Sequence, residues 1–227
     1  MKYLQLQTIF QDKYETGLKN AGLEDYKLPT ETIYNYLHEA EIEIVDKLAK
    51  SKQYNYLKNF TTTSDLDVNA HVNISNVYFA TQPVDFMHYL KSITVGTFAT
   101  FSGDIQGVVE NEMIDPAQAG LFYKTPYNNP LFRNPKVFIE STSTADPKKV
   151  VLIVDSYTLP YGGGDGALKL TYIKAPEFPQ AQNESMIDIA YVNTVVELAV
   201  NAALSYVIAG GVTNSRERRQ NTQREQE

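Results

Sequence analysis

The chain has 227 residues, 43% of them hydrophobic and 21% charged, the balance of a folded protein large enough to bury a substantial core. Its 20 Lys and Arg against 27 Asp and Glu leave a formal net charge of −7, so the chain as a whole lacks the cationic surface that coats nucleic acid. With no cysteine there is no disulfide framework, no thiol nucleophile and no thiolate metal site.

In chain order, Met1 to Gln7 lack the unbroken apolar core of a secretory signal. Leu6, Phe10, Tyr14 and Leu18 then recur every four residues and predict one face of a helix, with Gly17 and Gly22 weakening its end. Leu28-Pro29-Thr30-Glu31 is a helix-start signal in which Thr30 can cap and Glu31 puts negative charge in the first turn. Ile33, Leu37, Ala40, Ile44 and Leu48 make the apolar stripe of this second helix, over 31–50.

From about 60 to 174 the period changes. Val72 and Ile74 alternate with polar residues, and Tyr89, Lys91, Ile93 and Val95 are expected on one side of a further strand. Asp115-Pro116 opens a short helix, and Tyr127 to Pro135 reads as an irregular loop. Val150 to Val154 is an apolar, β-branched run suited to a strand buried on both faces. Leu168, Leu170 and Tyr172 alternate with Lys169 and Thr171 in a half-buried strand, and Leu159 to Gly166 between the two is a glycine-rich hairpin loop.

A long helix is expected from about Ser185 to Ala209. Its buried face would carry Val192, Val195, Val196, Ala199, Ala202, Ala203 and Tyr206, opposite Asn193, Glu197, Asn201 and Ser205. Gly210-Gly211 would end it. The polar interruptions argue against a bilayer span, so a soluble chain of cytoplasmic origin is expected, with no membrane partner. Its alanines suit close packing, antiparallel, on the 31–50 helix. Residues 212–227, with Arg216, Arg218, Arg219 and Arg224 and almost no apolar side chain, form a tail that orders only against a partner.

No catalytic or metal motif emerges. His38, His71 and His88 come from different elements, and His38-Glu39-Ala40-Glu41-Ile42 lacks the second histidine of the zinc pattern. The glycine loop lacks the Gly-Lys-Ser/Thr ending of a phosphate loop, and Asp65 with Asp67 is an ordinary acidic pair. The 16 tyrosines and absence of tryptophan fit either interfaces, where Tyr adds area with a polar tip, or a core that uses Tyr in place of Phe.

The fold class expected is α+β. N-terminal helices (1–60) and a C-terminal helix (181–211) form a helical bundle, around a β-rich insert (61–180) and an extended polar tail (212–227). That order, with Gln82-Pro83-Val84-Asp85-Phe86 before one strand and Tyr172-Ile173-Lys174-Ala175-Pro176 leading to the last helix, resembles the head-to-tail connector (portal adaptor) proteins of tailed bacteriophages. In that family a Leu-Pro-x-Asp-Phe segment precedes a strand, and Gln82 stands here in place of the leucine. The cysteine-free, Asn- and Tyr-rich composition is also similar to ring proteins of crAss-like phages.

The resemblance implies a non-enzymatic virion protein of the neck, assembled in the host cytoplasm as a homo-oligomeric ring, commonly twelve-fold, around the DNA exit channel. The portal protein and downstream tail or ring proteins would be its partners, DNA would pass without sequence-specific binding, and no cofactor would be held. Arg216, Arg218, Arg219 and Arg224 would meet portal acids. Another virion ring, a stopper or tail component, or a protein-binding module from outside a phage are the alternatives.

Overall fold

The structure, a computed structural model, describes residues 1–23, 26–71, 73–74, 76–100, 103–123, 135–140, 148–154, 158–160 and 167–224, with backbone alone at 98–100, 104–105, 123, 158–160 and 210–224. In chain order the elements are α1 (Tyr3–Ala21), α2 (Thr30–Lys50), β1 (Thr61–Leu66), β2 (Asn69–Ala70), β3 (Val77–Thr81), β4 (Phe86–Thr100), β5 (Gly103–Glu110), β6 (Glu112–Met113), α3 (Pro116–Tyr123), β7 (Lys136–Glu140), β8 (Lys149–Ile153), β9 (Thr158–Pro160), β10 (Leu168–Lys174) and α4 (Val192–Arg224). The protein is α+β, with four α-helices and two sheets among the described residues. Its chain divides into a helical unit, Met1–Phe60 with Ala175–Glu227, and a β unit, Thr61–Lys174.

In the helical unit α4 packs against both α1 and α2. Every residue of the predicted α1 stripe (Leu6, Phe10, Tyr14, Leu18) and of the α2 stripe (Ile33, Leu37, Ala40, Ile44, Leu48) is buried. Contacts along the helices set their directions. Lys13 pairs with Glu197 at 2.9 Å and Gly17 lies against Leu204, so α1 and α4 run parallel. The Tyr191 hydroxyl donates to Gln53 at 3.1 Å, beyond the end of α2, while Tyr36 faces Tyr206, so α2 and α4 run antiparallel. A Cβ on Gly17 would come within 2.5 Å of Leu204 Cδ1, so the glycine lets α4 approach α1 closely. Gly22, at φ 71, ends α1 in the left-handed cap conformation.

Four local expectations in this unit are corrected. Pro29, not Thr30, is the cap position of α2; Thr30 lies inside the helix and accepts a hydrogen bond from Gln7 instead. Residues 185–191 are not α-helical. Asp188 caps a short 3₁₀ turn, Ile189–Tyr191, before α4 begins. On α4, Val200 and Val207 are buried while Ala202 and Tyr206 are exposed, because the core lies between two partner helices and rotates the buried face.

The fourth correction concerns the end. The α4 backbone does not stop at Gly210-Gly211 but stays helical to Arg224, so 212–224 is not an extended tail. Glycine costs a helix about 1 kcal/mol relative to alanine yet keeps its N–H, and 212–224 contains no proline and several strong helix formers. Ile189–Ala209 is long and apolar enough to cross a membrane, with mean hydropathy 1.5, but Val192, Val195, Val196, Ala199 and Ala203 are spent on the core.

In the β unit two sheets face each other. The first has the order β1-β10-β4-β5, with β9 also on β4, and the second β2-β3-β8-β7-β6. Leu168, Leu170, Tyr172 and Leu66 of the first pack with Ala80, Val137 and Val150 of the second. The other face of the second sheet packs Val151, Ile153 and Phe138 against Ala119 of α3, so β8 is buried on both faces as its sequence predicts. The Asp115 carboxylate accepts from Ala117 N at 2.8 Å and starts α3 at the expected place.

Two strand expectations change. Thr171 pairs with Lys91 but Tyr172 with Tyr89, so Leu90 is the extra residue of a bulge. The bulge turns Tyr89 toward the inter-sheet core and leaves Lys91, Ile93 and Val95 on the outer face. The strands on either side of the expected glycine-rich hairpin do not pair, since β8 and β10 lie in different sheets. Leu159 and Pro160 of that segment belong to β9, and β9 and β10 run in the same direction along one edge of β4, opposite Phe98–Gly96 and Thr94–Phe86. Ile74 lies outside any strand, while Val72, 127–134 of the predicted irregular loop, and 161–166 fall outside the described residues.

Ala199 is 1% exposed in the three-helix contact. Ala199→Leu is expected to overpack it and cost about 1–3 kcal/mol, read as a lower midpoint in urea at unchanged slope.

Candidate interaction surfaces

The most tightly held polar group of the helical unit is Glu41, 0% exposed, on the stripe of α2 between Leu37 and Val45. Its two carboxylate oxygens accept separately, one from the Tyr3 hydroxyl and the other from the Ser185 hydroxyl. Backbone bonds lace the same place: Tyr3 N to Asn183 O at 3.0 Å, Leu4 N to Ala181 O at 3.3 Å and Ser185 N to Met1 O at 2.8 Å. Burial raises the Glu41 pKa above the ordinary carboxylate value, and the Ser185 and Tyr3 hydrogen bonds work against that rise. Burial, reinforced by the adjacent Glu41, also pushes the Tyr3 phenol up. The sequence signal for Glu41 is an acid with apolar residues at both i−4 and i+4, Leu37 and Val45, a pattern that the catalytic and metal motifs do not single out.

In the β unit the two segments behind the connector resemblance meet. Phe86 pairs with Lys174 across the β4–β10 ladder, the Tyr172 hydroxyl donates to Asp85 at 2.8 Å, and the Phe86 and Tyr172 rings lie 5.4 Å apart. Pro83 O accepts from Phe86 N, closing a turn that holds Val84 fully exposed. Nearby, buried Asn111 donates to Ser92 Oγ at 3.0 Å and accepts from Thr94 Oγ1 at 2.6 Å, while the Tyr89 hydroxyl meets Ser92 Oγ at 3.1 Å. This network explains how Ser92 and Thr94, rather than apolar residues, occupy the inner face of β4.

The remaining candidates do not converge. His38 stacks edge-on to Phe178, its pKa lowered by burial, and His71 lies edge-on to Phe79. Asp65 pairs with Lys169 across the β1–β10 ladder at 3.1 Å. Among the described residues no three His, Cys, Asp or Glu side chains are grouped to hold a metal ion. An open cleft of about 500 Å³ in the helical unit is lined by Tyr14, Lys19, Tyr26 and Lys27, and the buried Tyr14 hydroxyl has no hydrogen-bond partner.

Arg216, Arg218, Arg219 and Arg224 all fall on the helical backbone of α4, beyond Val207, the last buried residue among those whose side chains are described. No family model matches the chain, and no curated protein matches it.

Glu41→Ala orphans two buried hydroxyls and is expected to cost about 2–4 kcal/mol, at roughly 1–3 kcal/mol for each unsatisfied group less the desolvation relieved. Because the folded pKa of Glu41 lies above its unfolded value, the folded state holds the extra proton, and stability falls as pH rises from the ordinary carboxylate range through the raised value. The melting-temperature difference between Glu41→Gln and the parent chain should therefore shift in favour of Gln across that pH window. A difference independent of pH would show that Glu41 titrates normally.

Proposed function

We propose that this chain is a non-enzymatic structural subunit of a tailed-phage neck, an adaptor that forms a ring beneath the portal and surrounds the DNA exit path. The single observation that carries the reading is the junction of its two resemblance segments. Asp85, in the segment before one strand, is held by Tyr172, four residues ahead of Pro176 in the strand that leads to the C-terminal helix.

Other features support it. The helical unit is assembled from both ends of the chain, with α1 parallel and α2 antiparallel to α4, a bundle suited to rigid packing beside identical copies. Exposed Val84, Ile189, Tyr206 and Val108 offer apolar contact area. The net charge of −7 keeps the body from gripping passing DNA. In this reading the arm that meets the portal is a helix carrying Arg216, Arg218, Arg219 and Arg224, rather than a loose tail. Downstream tail or ring proteins would meet other faces.

The test is co-purification with the portal protein encoded in the same genome, comparing the full chain with one ending at Gly211. Co-elution at ring stoichiometry that is lost on truncation is expected. Replacing the four arginines by glutamate should weaken binding by about tenfold or more, the equivalent of roughly 1.4 kcal/mol shared among exposed pairs. Absence of portal binding by the full chain would overturn the adaptor assignment, and rings found elsewhere in the particle would assign it to another neck or tail position.

A further inference from the structure

We propose that the first sheet runs on from one copy of this chain into the next, the β5 edge of one copy pairing antiparallel with the β1 edge of its neighbour. The inference rests on the ring reading and names the partner at this surface as a second copy. Among the described residues the strand order of the sheet ends at β1, which pairs with β10, on one side and at β5, which pairs with β4, on the other. An edge strand presents a row of main-chain donors and acceptors that templates another strand. Both edges are regular, since β1 and β5 hold their partners through unbroken ladders without a bulge. Neither strand contains proline or lysine, the residues that most often blunt such edges.

Direction and register follow from the ladders. Every neighbouring pair along β1-β10-β4-β5 is antiparallel, so β1 and β5 run in opposite senses. A copy added head to tail therefore brings its β1 beside β5 in the antiparallel sense that the sheet already uses. Such a contact joins two different surfaces, and it closes into a ring when the rotation per copy divides a full turn.

Side-chain parity narrows the register. Thr61, Thr63 and Asp65 are exposed on β1 and Gln106, Val108 and Glu110 on β5, while Thr62, Ser64 and Leu66 of β1 sit on the core side with Val109 of β5. Setting Glu110 opposite Thr61 keeps exposed with exposed, pairs all six residues of β1, and places Val108 opposite Thr63 and Gln106 opposite Asp65. Sliding by two residues one way puts Asp104 opposite Asp65, a like-charge pair. Sliding two residues the other way puts Val108 opposite Asp65 and leaves two residues of β1 beyond the end of β5.

The chain has no cysteine, so introduced thiols report the join directly. Thr63→Cys and Val108→Cys would be made singly and together, and oxidised in the full-length chain under conditions in which it assembles with its portal. The double variant is expected to give a ladder of covalent multimers that collapses with reductant. Mixed single variants should give covalent dimers, and neither should do so alone. Efficient linking through Asp65→Cys with Val108→Cys instead would overturn the register. Rings that form without any 63–108 linkage, or linkage within one single variant, would overturn the edge pairing while leaving the ring reading intact. A chain that stays monomeric with and without portal would overturn both.

Discussion

A carboxylate with no access to water must be satisfied by hydrogen bonds or give up its charge, and Glu41 is satisfied from two distant parts of the chain. Tyr3 supplies one donor and Ser185 the other, so the first residues of α1, the middle of α2 and the approach to α4 meet at one point. Mutual backbone bonds between 1–4 and 181–185 close around it. The antiparallel course of α2 along α4, and the close approach allowed by Gly17, follow from that convergence together with the valine and alanine face of α4. A buried acid is a poor source of net stability, but it penalises any arrangement in which its two donors are elsewhere.

Closing the helical unit with residues from both ends makes the β unit an insertion. Its first and last strands, β1 and β10, are neighbours through six successive pairs, so the chain leaves the insertion beside the place where it enters. That adjacency is the simplest geometric condition for one compact unit to interrupt another. Within the insertion, facing sheets bury their apolar faces on each other, and α3 covers the far side of the second sheet. The first sheet keeps an outer face on which Val95 lies directly opposite Val108, 59% exposed, close to the β5 edge. Exposed apolar area beside a regular strand edge is an aggregation hazard unless another chain meets it.

The same logic bears on α4. Its first half is bound into the core as far as Val207, and its helical backbone continues for a further 17 residues to Arg224. An isolated helix of that length in water is marginal, so a continuation of this kind gains most of its stability from what it packs against.

Local sequence pattern determined a good deal: the stripes of α1 and α2, the start of α3 at Asp115-Pro116, the two-sided burial of β8 and the alternation of β10 were all legible in the sequence. Those features depend on residues within a turn or a strand of one another, and local pattern records them directly. What tertiary structure decided depends on partners distant in the chain. The Leu90 bulge turns Tyr89 inward because β10 pairs there, Ser92 and Thr94 are buried because Asn111 meets them, and β9 and β10 run in the same direction along one edge of β4. The α4 face rotates away from Ala202 and Tyr206 because two helices, not one, pack against it. Glu41 is the sharpest case, since its place on α2 was readable while the donors that make its burial tolerable lie 38 and 144 residues away.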